Sequence, residues 1–160
     1  MAKPTNIKTA SDLVTVTNTV AETNLCSITL PAFSVRMDYL FKCKVLVKTP
    51  STNSTDTLAL KLKLGSTVLA TVAAFDAADD DVCWVELSGF VDSTNKTVHF
   101  VALDGRTGQA ADVEESADVA FDVNTDLVFS ATATWSVASA SNQAVPKFMS
   151  LELQPVDGSN

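Results

Sequence analysis

From Leu127 to Val137 the chain alternates: Leu127, Phe129, Ala131, Ala133, Trp135 and Val137 share one phase, and Ser130, Thr132, Thr134 and Ser136 share the other. A strand turns successive side chains to opposite faces, whereas the same pattern on a helix would scatter the apolar groups around its axis. The run therefore predicts a strand with one buried face and one wet face. The period returns at Leu58, Leu60, Leu62 and Leu64, interleaved with Ala59, Lys61 and Lys63. It breaks at Gly65-Ser66 and resumes at Val68, Ala70 and Val72, which predicts a two-residue hairpin with Gly65 at its first central position.

Further strands are expected around residues 13–20, 25–30, 38–48, 82–87, 97–103 and 147–153, separated by stretches rich in Ser, Thr, Asn, Asp, Gly and Pro. Residues 109–124 are ambiguous, with Val119, Phe121 and Val123 suggesting one more short strand. About eight or nine evenly spaced strands with no amphipathic helix predict an all-β fold. Its expected form is an antiparallel β-sandwich, jelly-roll-like, over residues 13–155, with an N-terminal arm at 1–12 and a C-terminal tail at 156–160. A chain of 160 residues, 46% of them hydrophobic, buries roughly 70% of its unfolded surface and needs no staples.

A net charge of −8, with 11 basic residues scattered along the chain, disfavours nucleic acid as a partner, because phosphate binding needs clustered Lys and Arg. The N-terminus lacks the pattern of a signal peptide, and no run approaches the roughly 18 apolar residues of a membrane helix, so no membrane partner and synthesis in the cytoplasm are expected. Cys26, Cys43 and Cys83 each fall in an apolar run and read as buried thiols.

No catalytic set assembles from the sequence. The single histidine, His99, faces away from Val98 and Phe100, among Thr97 and Val101, and reads as a structural residue at or near the surface. The cysteines form no close pair for zinc, and no cofactor is expected. Asp76, Asp79, Asp80 and Asp81 crowd one loop, but without the Gly and late Glu of a calcium loop they read as a solvated acidic turn, as does Glu114-Glu115. Trp84 and Trp135 are the residues a sugar ring could stack on; both are expected on the apolar phase of their strands, in the core. The arm is mostly polar and carries Lys3, Ile7 and Lys8. It is expected to be disordered alone and to order on assembly, Ile7 anchoring it on a neighbour while the lysines steer toward carboxylates.

The stretch Ser27-Ile28-Thr29-Leu30-Pro31-Ala32-Phe33, the Leu-rich strand ending at Leu64-Gly65-Ser66-Thr67, the strand carrying Trp84, and Thr134-Trp135-Ser136-Val137-Ala138-Ser139-Ala140-Ser141-Asn142 occur in an order that resembles jelly-roll virion proteins of tailed bacteriophages. These include the capsid decoration, or cement, proteins. The resemblance implies a non-enzymatic virion component on the outer capsid surface, a homotrimer that binds the major capsid protein and stabilises the shell. The alternative it leaves is a receptor- or carbohydrate-binding module of a tail or head fibre, which uses the same architecture.

Overall fold

The computed structural model describes residues 6–35, 37–53, 55–115 and 118–156, and among them there is no helix. The strands in chain order are β1 (Asn6–Thr9), β2 (Val16–Thr17), β3 (Thr23–Leu30), β4 (Tyr39–Thr49), β5 (Thr57–Leu64) and β6 (Thr67–Asp76). They continue as β7 (Asp81–Asp92), β8 (Thr97–Arg106), β9 (Gln109–Glu115), β10 (Val119–Ala120), β11 (Leu127–Trp135) and β12 (Gln143–Pro155). All pairings are antiparallel. An eight-stranded sheet runs β1-β12-β4-β7-β8-β10, with β2 added to β12 and β9 to β8, and a four-stranded sheet runs β3-β11-β5-β6. The fold is the expected jelly-roll-like β-sandwich.

Alternation assembles the core. Phe41, Cys43, Val45 and Val47 of β4, Cys83, Val85 and Leu87 of β7, and Met149 and Leu151 of β12 point inward from the larger sheet. They meet Leu58, Leu60, Leu62 and Leu64 of β5 and Phe129, Ala131, Ala133 and Trp135 of β11. The sheets touch where Cys26 Sγ lies 3.7 Å from Met149 Sδ, and where the Phe41 and Phe129 rings approach to 6.1 Å between centroids. Trp135 is 1% exposed, and losing such a ring from a core costs about 3–5 kcal/mol. The β5–β6 hairpin turns at Gly65-Ser66 as expected, with Leu64 opposite Thr67 and Gly65 at φ +58°, a backbone region that glycine enters without strain. Burial pushes the Cys26 thiol up to about 11 and those of Cys43 and Cys83 up to about 12.

Three sequence expectations change. Residues 13–20 contribute only β2, because this segment leaves the β12 edge after Ala10, meets the smaller sheet at Val14 and returns to β12 at Val16–Thr17. Val14 N donates to Leu25 O, and the Val16 carbonyl accepts the Trp135 indole N–H at 3.3 Å. The arm at 1–12 is not unstructured throughout: Asn6–Thr9 forms β1, whose backbone pairs with Leu153, Glu152, Leu151 and Ser150 of β12. It does so because β12 is a 13-residue strand that would otherwise leave its outer edge unpaired. Lys3 lies outside the described residues, as do 157–160 of the expected tail. The third change is β9, a strand along Gln109–Glu115 with one large apolar residue, Val113, on which alternation has little to act. Two loops are joined by a buried polar pair, Asn142 Nδ2 donating to Asp56 Oδ2 at 2.8 Å while Asn142 Oδ1 accepts from Asn53 N.

The outer face of the smaller sheet is polar. There Glu22 accepts from Lys61 and Lys63 at 2.7 and 2.9 Å and from Thr132 Oγ1 at 3.1 Å. The two ammonium groups, foremost Lys61, hold its carboxyl at about 2, well below the usual 4.5. A folded-state pKa lowered in this way adds stability that is complete above about pH 4.5 and fades as the pH falls toward 2. Because the cluster is partly exposed, screening reduces the gain to about 1 kcal/mol. Chemical denaturation of Glu22→Gln is expected to show a loss of about that size at pH 7 and convergence with the parent protein by about pH 2. Parallel curves across the whole range would contradict the ion-pair account.

Candidate functional site

The outer face of the larger sheet differs in kind. Because Cys83, Val85 and Leu87 of β7 point inward, Val82, Trp84, Glu86, Ser88 and Phe90 point outward. Trp84 is therefore not in the core, contrary to the expectation for it, whereas Trp135 is. The start of β7 is apolar in both phases, and the tie is broken by Glu86 and Ser88, which share the phase of Trp84. Those two polar residues are the sequence signal that locates it.

Register sets the neighbours in rows. Leu46 of β4 and Gly105 of β8 flank Trp84, Lys44 and Leu103 flank Glu86, Lys42 and Val101 flank Ser88, and Leu40 and His99 flank Phe90. The indole packs directly on Gly105: a Cβ there would lie 2.7 Å from Trp84 Cε2 and Cζ2, so only glycine leaves the ring its place. Lys44 Nζ lies 5.4 Å from the ring centroid, a cation–π distance. Glu86 is held by Lys42 at 2.9 Å and Lys44 at 3.5 Å, and the Lys42 ammonium is stabilised in turn, chiefly by the Glu86 hydrogen bond, so its pKa is raised.

At the other end of β7 an open groove of about 600 Å³ is lined by Leu40, Ser88, Phe90, His99, Val101 and Asp118 among others. The Phe90 and His99 rings stack with centroids 6.5 Å apart and planes at 26°. His99 is half-buried and shares its face with Thr97 and Val101, as its strand phase implies. Its Nδ1 contacts Asp118 Oδ1 at 2.5 Å and its Nε2 contacts Thr97 Oγ1 at 3.1 Å. Asp118 comes from the ambiguous 109–124 segment, 19 residues along the chain, and no local pattern marks it. The order hydroxyl, imidazole, carboxylate is also that of a hydrolase triad. Here Thr97 is flanked on both sides by strands, opposite Asp92 of β7 and Ala120 of β10, which commits its backbone to the ladders rather than to an oxyanion.

The other candidates are placed as follows. Asp79 accepts from Thr52 N and Oγ1, Asp80 pairs with Lys48 at 2.6 Å, and Asp81 accepts from Ala78 N, so the acidic loop ties its own turns. Among the described residues no group of three or more His, Cys, Asp and Glu is arranged to hold a metal ion. The side chains of Glu114 and Glu115 lie outside the described residues. Ile7 is 59% exposed opposite Glu152, and Lys8, opposite Leu151, points to the other face beside a polar cleft with Ser27 and Thr29.

No protein-family model and no curated protein matches the sequence. Among solved structures the chain is similar to arcelin-5, a lectin-like defence protein from Phaseolus vulgaris, with a TM-score of 0.50, 8% identity, and coverage of 95% of this chain and 99% of that one. That likeness concerns the fold. Winged bean acidic lectin aligns with a TM-score of 0.49 and 7% identity over 96% of this chain and 100% of the lectin. A protein of unknown function from Shewanella oneidensis MR-1 aligns with 0.47 and 10% over 97% and 78%.

The packing of Trp84 on Gly105 makes a double-mutant expectation. Gly105→Ala should destabilise by about 1–3 kcal/mol, as overpacking does, and shift the Trp84 fluorescence. In a Trp84→Ala background the same change should cost under about 0.5 kcal/mol, the usual scatter of a harmless surface substitution. An equal cost in both backgrounds, measured by urea denaturation, would remove Trp84 from its assigned place.

Proposed function

We propose that this protein is a non-enzymatic recognition module that binds a saccharide on the outer face of its larger sheet. The observation that supports this best is the groove in which Phe90 stacks on His99 and His99 is bonded to Asp118. A saccharide offers apolar C–H faces and a rim of hydroxyls. Phe90 supplies an apolar ring for the first. Ser88 and the largely exposed Asp118 supply a hydroxyl and a carboxylate for the second, with His99 fixed in orientation by its two bonds. The groove is open to water, which suits reversible binding more than chemistry on a desolvated substrate.

A second reading has its own observation. The same face and the β1 edge expose Leu40, Val101, Val113, Phe148 and Ile7, an apolar content of the kind that protein interfaces cover. This supports a decoration protein on the outer capsid surface of a tailed phage, bound to the major capsid protein as a homotrimer, with Ile7 and Lys8 of β1, and Lys3 before it, at the contact. A fibre-borne module would join the readings, since it too is a virion component.

Glycan binding by the purified protein, read by calorimetry, decides between them. Phe90→Ala and Asp118→Ala are expected to weaken saccharide binding at least tenfold, a loss of about 1.4 kcal/mol, with the melting temperature retained. Thr134→Ala, on the opposite sheet, should leave binding unchanged. Failure of every saccharide to bind, together with saturable binding to phage heads, would favour the decoration reading.

A further inference from the structure

We infer that the ligand is an extended, uncharged saccharide chain lying along β7 from Phe90 to Trp84, rather than a single terminal sugar held in the groove. This rests on the saccharide reading of the groove and extends it by a second stacking site. Strand residues rise about 3.4 Å each, so a separation of six positions along β7 sets the two rings roughly 20 Å apart on one face. That span exceeds a single sugar ring. Between the rings the same strand presents Glu86 and the exposed Ser88. The track therefore reads aromatic, carboxylate, hydroxyl, aromatic, the alternation of stacking and hydrogen bonding that a polyhydroxyl chain requires.

Three features select the occupant. The chain carries a net charge of −8, yet on this part of the sheet Lys42 and Lys44 are balanced by Glu86 and by Glu152, which lies opposite Lys42. With Asp118 added at the groove end, the track carries no excess positive charge for a polyanion, while a neutral glycan meets no charge penalty there. Secondly, Gly105 keeps the indole on the surface of the sheet, where a side chain at that position would force it away. The ring is fixed and half-buried, with Lys44 Nζ 5.4 Å from its centroid, and a sugar stacking on it takes the place of that ammonium. Thirdly, the Lys42–Glu86–Lys44 cluster sits at the middle of the face. Burial under a second copy of the chain would desolvate three charges, whereas a hydrated glycan uses them as hydrogen-bonding groups.

The test is calorimetric titration of the full chain with neutral glucose, mannose, galactose and N-acetylglucosamine oligomers, each from monosaccharide to hexasaccharide. For the oligomer type that binds, affinity is expected to rise at least tenfold from monosaccharide to hexasaccharide. Trp84→Ala should collapse that ratio toward one, and Trp84→Phe, which keeps an aromatic ring, should retain most of it; melting curves establish that both variants fold. Equal affinity for short and long oligomers overturns the extended site while leaving the groove as a single-sugar site. Binding of no oligomer at any length overturns both. Self-association in light scattering that Trp84→Ala abolishes would assign the face to a second copy of the chain and also overturn the inference.

Discussion

One apolar core is shared by two sheets, and period-two geometry makes each strand divide its residues between that core and the outside. The character of each outer face follows from how this division falls. In β11 and β5 it separates Leu, Phe and Trp from Ser, Thr and Lys, and the outer face of the smaller sheet is accordingly polar, with Glu22 bridging two lysines. In β7 the division is unequal. Cys83, Val85 and Leu87 fill the core while Trp84 and Phe90 remain for the surface. A protein that needed only to fold would place its large rings where burial rewards them, at about 25 cal/mol for each Å² of apolar surface removed from water. Two rings on the wet phase of the central hairpin are the departure that asks for a functional account.

The hairpin β7–β8 is well chosen to carry such a face. It lies inside the larger sheet, flanked by β4 on one side and by β9 and β10 on the other, so its outward side chains stand on a supported lattice and not on loops. Gly105 and Lys44 hold Trp84; Thr97 and Asp118 hold His99. Residues positioned in this way lose little conformational freedom on binding, which is where a shallow site gains affinity.

Much of this was legible in the sequence wherever one phase of a strand was purely apolar. The β5–β6 hairpin, with its glycine turn, and the long β11 are of that kind, and Trp135 is as buried as its phase requires. Legibility failed where the signal was local but two-sided, as for Trp84, or absent, as for β9 and for β1, whose pairing comes from an open edge on β12 and not from any pattern of its own. It failed most completely for Asp118. That carboxylate meets His99 only because β10 returns to β8, opposite Val98 and Thr97, and a contact made by tertiary return leaves no periodic trace. The acidic loop shows the converse: a conspicuous cluster, Asp79 to Asp81, whose carboxylates each serve a separate neighbour.

The outer face of the larger sheet is the proposed surface for ligand recognition. Backbone amide chemical shifts, recorded as the tightest-binding neutral hexasaccharide is added, test it most directly. Shifts are expected to concentrate at Trp84, Glu86, Ser88 and Phe90 and at their neighbours Lys44 and His99, while Ser130, Thr132 and Thr134 on the opposite sheet stay still. Shifts confined to the smaller sheet or to the loops at the ends of the sandwich would contradict it.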